Sequence, residues 1–224
     1  MGGHVQSSMG QDLDERPRRR LEPAGVLRWL VFPAAVLALI FGVLLYLDGR
    51  LDDGTADDRF GIVALPSLKN PTGRAPASEI GRAGPDFLLE TPQGGTLRLS
   101  DFQGRPVVLN FFASWCRPCR REMPEFVAAY SRYRAQGLVI VGVDMQEPAK
   151  KVLKFADDFG IRFPLAIDRD GEVGDAWRLG GPIQGLPSTY FIDATGVIRD
   201  RFYGPLTEEF LEKRLAKILP EDGA

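Results

Sequence analysis

Histidine is nearly absent from this chain, and cysteine is scarce: 224 residues hold one histidine and two cysteines. The histidine, His4, sits in a polar N-terminal stretch, away from any segment that reads as folded. This argues against a Cys–His nucleophile pair, a histidine-ligated haem and a Cys/His zinc site. Two cysteines are also two ligands short of a Cys₄ zinc or iron–sulfur centre. A metal would have to be shared across a dimer, and no metal or cofactor is expected. Excess charge is missing too. The formal net charge is -2, so there is no basic field for nucleic acid. With 44% hydrophobic and 26% charged residues, the composition is that of ordinary globular protein.

Residues 1–25 are polar and rich in Gly and Arg, and read as a disordered cytoplasmic tail. Residues 26–47 follow as a transmembrane anchor. Within them, Trp29 to Leu47 carries no charge, and about 20 apolar residues span a bilayer core. Trp29 and Tyr46 stand at the two ends, where aromatic side chains favour the interface. Arg16, Arg18, Arg19, Arg20 and Arg28 precede the run, whereas Arg50 and Arg59 follow it among aspartates. The positive-inside rule then puts the N-terminus in the cytoplasm and the remainder outside the cell membrane. A cleaved signal peptide is the competing reading. Its apolar core would be shorter, and Leu44-Leu45-Tyr46-Leu47-Asp48 is a poor cleavage site. Residues 48–83, rich in Gly, Pro, Asp and Ser, read as a flexible linker, with Ile62 to Leu65 open between a strand and a contact.

From 84 to 220 the texture is that of a folded domain. Asp86–Glu90 and Thr96–Leu99 flank hairpin chemistry at Pro92-Gln93-Gly94-Gly95. Val107–Phe112 is an unbroken apolar run suited to a buried central strand. Helices are expected over 119–136, 149–159, 172–178 and 207–219. Thr207 is placed to cap the last, and Phe210, Leu211, Leu215 and Ile218 to face inward. Further strands are expected at 138–144, 164–167, 188–193 and 197–203. The pattern implies an α/β fold, a mixed central sheet flanked by helices, with parallel central strands and an antiparallel hairpin at one side.

The two cysteines fall together, in Ala113–Cys119 (ASWCRPC), between the apolar strand and a helix. A thiolate is the nucleophile of disulfide exchange. Cys116 at a helix head, near Arg117, Arg120 and Arg121, is placed for a lowered pKa, and Cys119 one turn on can resolve a mixed disulfide. Pro118 stiffens the loop. A purely structural Cys116–Cys119 disulfide would close a very small loop and add little stability. A thiol peroxidase would want a Pro-x-x-x-Thr/Ser-x-x-Cys pattern, but Leu109 and Ala113 stand at those positions.

NFFASWCRPCRREMP, followed about seventy residues later by GLPSTYFID, resembles the membrane-anchored thioredoxin-like thiol–disulfide oxidoreductases of the TlpA/ResA type. The resemblance covers roughly Gly84 to Leu219 and the anchor layout. It implies a thioredoxin-like fold, Cys116 as attacking and Cys119 as resolving cysteine in a redox-active disulfide, and Pro187 as a cis-proline beside them. Leu186 would offer its backbone to an incoming peptide by strand addition. Glu122 matches a glutamate that tunes the dithiol in ResA-like members; otherwise it is a solvated residue of a first helical turn. Pro124 matches a helix-kinking proline. Trp115 shapes the rim of the site and, with Pro118, is a candidate substrate contact. Cytosolic thioredoxins carry a buried proton-handling Asp where this chain has Asn110, which leaves Glu122 as the candidate. The implied task is reduction of protein disulfides, such as those of apocytochrome c, with electrons from a membrane thiol carrier. The arginines pull the other way, because a stabilised thiolate makes a couple more oxidising. A peroxidase on the same fold and a non-catalytic peptide-binding module are the alternatives.

Overall fold

The computed structural model describes residues 36–43 and 60–220. The expected tail at 1–25 and the ends of the apolar run at 29–47 lie outside the described residues. Residues 36–43 are helical and exposed (α1), and no described helix is long and apolar enough to cross a membrane. This segment belongs to one unit of the chain, and the described residues 60–220 belong to the other.

Val107–Phe112 (β4) is buried at all six positions, as its unbroken apolar run requires of a strand covered on both faces. It lies at the centre of an eight-stranded sheet. With β1 (Gly61–Ile62), β2 (Phe87–Glu90), β3 (Thr96–Arg98), β5 (Val139–Met145), β6 (Leu165–Asp168), β7 (Ser188–Ile192) and β8 (Ile198–Tyr203), the order is β1-β2-β6-β5-β4-β7-β8, and β3 pairs with β2. β4, β5 and β6 are parallel, which needs helical crossovers; β7 and β8 add antiparallel strands beyond β4. This is the expected mixed sheet.

The helices are α2 (Arg117–Tyr133), α3 (Ala149–Phe159), α4 (Glu172–Trp177) and α5 (Glu208–Leu215). α2 packs against α3 and α5, and α4 against β1 and β6. A 3₁₀ turn, Arg134–Gln136, tightens the end of α2, and Gly137 stops it in the left-handed region at φ 94°, where a side chain would be strained. Phe111 on β4 is fully buried, its ring centroid 6.0 Å from that of Trp177 and 6.2 Å from that of Tyr190.

Three expectations are corrected. Residues 60–83 are no linker: Gly61 and Ile62 pair with Leu88 and Phe87, Lys69 Nζ donates to Ser100 O at 2.7 Å, and the Gly81 N–H donates to Ile198 O at 2.8 Å. These partners are remote in sequence, so local composition could not reveal them. Thr207 precedes α5 but makes no side-chain capping bond. Phe210 is 47% exposed and instead stacks on Phe202, with the Arg214 guanidinium over both rings.

Phe111→Ala is expected to lower stability by about 3–5 kcal/mol, because the truncated side chain leaves a cavity between two fixed rings. The midpoint of denaturant unfolding measures it.

Candidate active site

β4 delivers the chain to the head of α2, and the turn between them holds the dithiol. Cys116 is the N-cap of α2; its Sγ accepts the Cys119 N–H at 3.3 Å. Its own N–H donates to Ala113 O at 3.1 Å. Cys116 and Cys119 form a disulfide with the Cα atoms 5.3 Å apart, and both residues are fully buried. Pro118 is buried in the first turn, where its missing N–H costs nothing. Trp115 is the exposed neighbour, at 47%. A half-exposed indole beside a buried disulfide suits a rim that an incoming chain touches first.

β7 brings the second half of the site. The Leu186–Pro187 bond is cis, as the resemblance implied, and both residues are buried. Leu186, expected to offer its backbone to an incoming peptide, has that backbone partly engaged. Its N–H donates to Ile183 O at 2.9 Å, and its carbonyl accepts the Ile183 N–H at 3.0 Å. Only the second lone pair of that carbonyl is left for an incoming strand. The Pro187 carbonyl is likewise engaged, accepting the Gly204 N–H at 2.9 Å.

Glu122 lies one helical turn beyond Cys119 and is fully buried, which excludes the solvated reading. Asn110 Nδ2 donates to Glu122 Oε1 at 2.9 Å and to Thr189 Oγ1 at 3.0 Å, and the Leu206 N–H donates to Glu122 Oε2 at 2.9 Å. One carboxyl thus ties α2 to β4, and through Asn110 to β7. It also holds the loop after β8. Burial pushes its pKa up to about 8, against the opposing effect of the Leu206 and Asn110 hydrogen bonds. At neutral pH it therefore holds a proton.

Three further residues at this end of the sheet escaped the sequence reading. Ser114, Asp144 and Glu147 form a chain of hydrogen bonds beside the dithiol turn. Glu147 Oε2 accepts the Ser114 N–H at 2.5 Å, Glu147 Oε1 accepts the Ser114 hydroxyl at 2.8 Å, and the Glu147 N–H donates to Asp144 Oδ1 at 3.0 Å. Asp144 is fully buried near the end of β5, and burial, with the charge of Glu147, pushes its pKa up to about 8. A signal existed: an acid closing the apolar run LVIVGVD stands at the carboxyl end of a parallel strand, where sites on open α/β sheets gather. The three arginines behave differently from one another. All are exposed, but Arg120 Nη1 donates to Ser114 O at 3.2 Å while its guanidinium lies over Phe155 and Phe159, at 5.5 and 5.0 Å from the ring centroids.

Residues 80–201 match the family model described as AhpC/TSA family. The thiol-disulfide oxidoreductase ResA of Geobacillus kaustophilus is 41% identical over 144 residues, 64% of this chain and 80% of that protein. The ResA of Geobacillus thermodenitrificans is 40% identical over the same length, with the same shares of each chain. Among solved structures, a candidate thiol:disulfide interchange protein DsbE from Chlorobium tepidum superposes with a TM-score of 0.57 at 29% identity, covering 62% of this chain and 96% of that one.

Two buried carboxyls with raised pKa values set the pH dependence of stability. An unfolded chain releases these protons near 4.5 (Glu122) and 3.8 (Asp144), whereas the folded chain keeps both until about pH 8. Stability should therefore fall as pH rises from about 4 to 8, then level off. Glu122→Gln should remove its share of that slope and leave the share from Asp144. Chemical denaturation at pH 5 and pH 8 reads the difference.

Proposed function

The chain belongs to the AhpC/TSA family and is a thiol–disulfide oxidoreductase of the ResA type, and from that premise we propose that its 116/119 dithiol works outside the cell membrane to reduce disulfides of other proteins. The observation that carries the reading is the dithiol itself, capping α2 just after β4, whose Phe111 pairs with Ser188 next to the cis Leu186–Pro187 bond, with Glu122 buried one turn beyond. The apolar run 29–47 and the arginines before it support the location and a single-pass anchor in the bilayer.

In the reduced state Cys116 attacks as thiolate, favoured by the unpaired N–H groups at the head of α2. Its sulfur bonds to one sulfur of the substrate disulfide, and the other sulfur leaves as a thiolate and takes a proton. Cys119 then gives up its proton and attacks Cys116 Sγ. The mixed disulfide breaks, the second substrate sulfur leaves, and the Cys116–Cys119 disulfide remains. Two electrons have passed to the substrate. A membrane thiol carrier returns the dithiol to the reduced state by the same exchange in reverse. Asn110 cannot take the Cys119 proton, so the role falls to Glu122 in the fraction of molecules where it is ionised, a fraction that grows as pH rises toward about 8. Trp115 meets the substrate at the rim, whereas Pro118, expected to share that contact, is buried and shapes the turn from behind; the Leu186 carbonyl and Pro187 line the path. Apocytochrome c before haem attachment is the substrate class this reading favours.

Cys119→Ser should trap a mixed disulfide at Cys116 with a disulfide-bearing apocytochrome c peptide, and Cys116→Ser should trap none. Non-reducing mass spectrometry distinguishes them; equal trapping through both positions would contradict the assignment. Glu122→Gln should slow the second step, so that the mixed disulfide of the otherwise intact dithiol persists longer.

A further inference from the structure

Ser114, two residues before Cys116, has every polar atom engaged by a side chain. One carboxylate, Glu147, takes both its N–H (2.5 Å) and its hydroxyl (2.8 Å), and Arg120 takes its carbonyl (3.2 Å). The arginine is itself held over the Phe155 and Phe159 rings of α3. No other residue of the turn 113–116 is gripped in this way: Cys116 is fixed by its N–H on Ala113 and its sulfur on Cys119.

The grip is costly. Glu147 is 4% exposed, and burying a carboxyl costs free energy even with both oxygens accepting hydrogen bonds from Ser114. Its cationic neighbour on α3, Lys151, reaches only 3.9 Å from Oε1 and is 65% exposed. Asp144 on β5 accepts the Glu147 N–H with one oxygen, and its other oxygen is buried without a partner among the described residues. The neighbouring acid is thus kept protonated at neutral pH by burial and by the charge of Glu147. Holding a turn alone would not need an anion, since neutral acceptors serve helix and turn ends throughout proteins.

We propose that Glu147 is a positioning residue for the dithiol: by gripping Ser114 at two atoms it fixes the turn that presents Cys116, and its buried charge makes the Cys116 thiolate less stable than the head of α2 and the arginines would make it. Glu147 touches no reacting atom; it acts through Ser114 and through its field. The field opposes the effect of the arginines. Weakening the thiolate disfavours the reduced form, which makes the couple more reducing. The inference rests on the exchange role of Cys116.

The test compares the full chain with Glu147→Gln, Glu147→Asp and Ser114→Ala. In Glu147→Gln the exchange equilibrium against glutathione should move about tenfold toward the reduced protein, a potential about 30 mV more oxidising. The pH midpoint for alkylation of Cys116 should fall with it. Glu147→Asp keeps the charge and should recover at least half of both shifts. Ser114→Ala, which loses a single hydrogen bond and should fold, is expected to speed hydrogen exchange at the Cys116 amide about fivefold. A folded Glu147→Gln protein with the parental potential and alkylation midpoint would overturn the charge role. Unchanged exchange in Ser114→Ala would overturn the grip. A parental chain without exchange activity would instead sink the functional reading on which this one rests.

Discussion

A strand buried on both faces can expose chemistry only at its ends. β4 is such a strand, with β5 and β7 on its edges and no exposed residue along its length. Its carboxyl end therefore hands the chain to α2 at one place, and the cysteines sit at that junction. Everything else at the site converges there: Pro187 at the start of β7, Asp144 near the end of β5 and Asn110 within β4 itself. Glu122 on α2 reaches back through Asn110 to couple helix and sheet.

Two buried acids are the cost of this arrangement and also its means of control. Each is held in its protonated form at neutral pH, so neither imposes a full charge on the dithiol from within the core. Glu147 differs in giving both oxygens to one residue of the dithiol turn, Ser114. The sequence left an electrostatic conflict: three arginines near Cys116 favour a thiolate, and so an oxidant, in a chain proposed to act as a reductant. The structure brings the Glu147 carboxyl to the same turn. It also diverts Arg120 to the Ser114 carbonyl and two aromatic rings.

Much of the fold was legible because its signals are local. The apolar run 107–112, the stop at Gly137, the amphipathic period of 149–159 and the Cys-Arg-Pro-Cys spacing each involve neighbours within a few residues. What was missed depends on distance or depth. Ser114 and Glu147 are 33 residues apart, and no spacing rule joins them. Residues 60–83 look like linker by composition, yet they find partners on β2, at Ser100 and on β8. Phe210 lies in an amphipathic helix, but periodicity gives a face and not the depth of burial, and its ring rests on the surface against Phe202. Leu186 has its N–H bonded three residues back, to Ile183, which a reading of Pro187 as a strand entry could not foresee.

The central claim is that this dithiol gives electrons rather than taking them. The reduction potential of the Cys116–Cys119 couple in the full chain, measured by equilibration with glutathione or a dithiol buffer, tests it most directly. A value near about -300 mV is expected for a couple that reduces protein disulfides; one near about -120 mV, that of a strong oxidant, would contradict it.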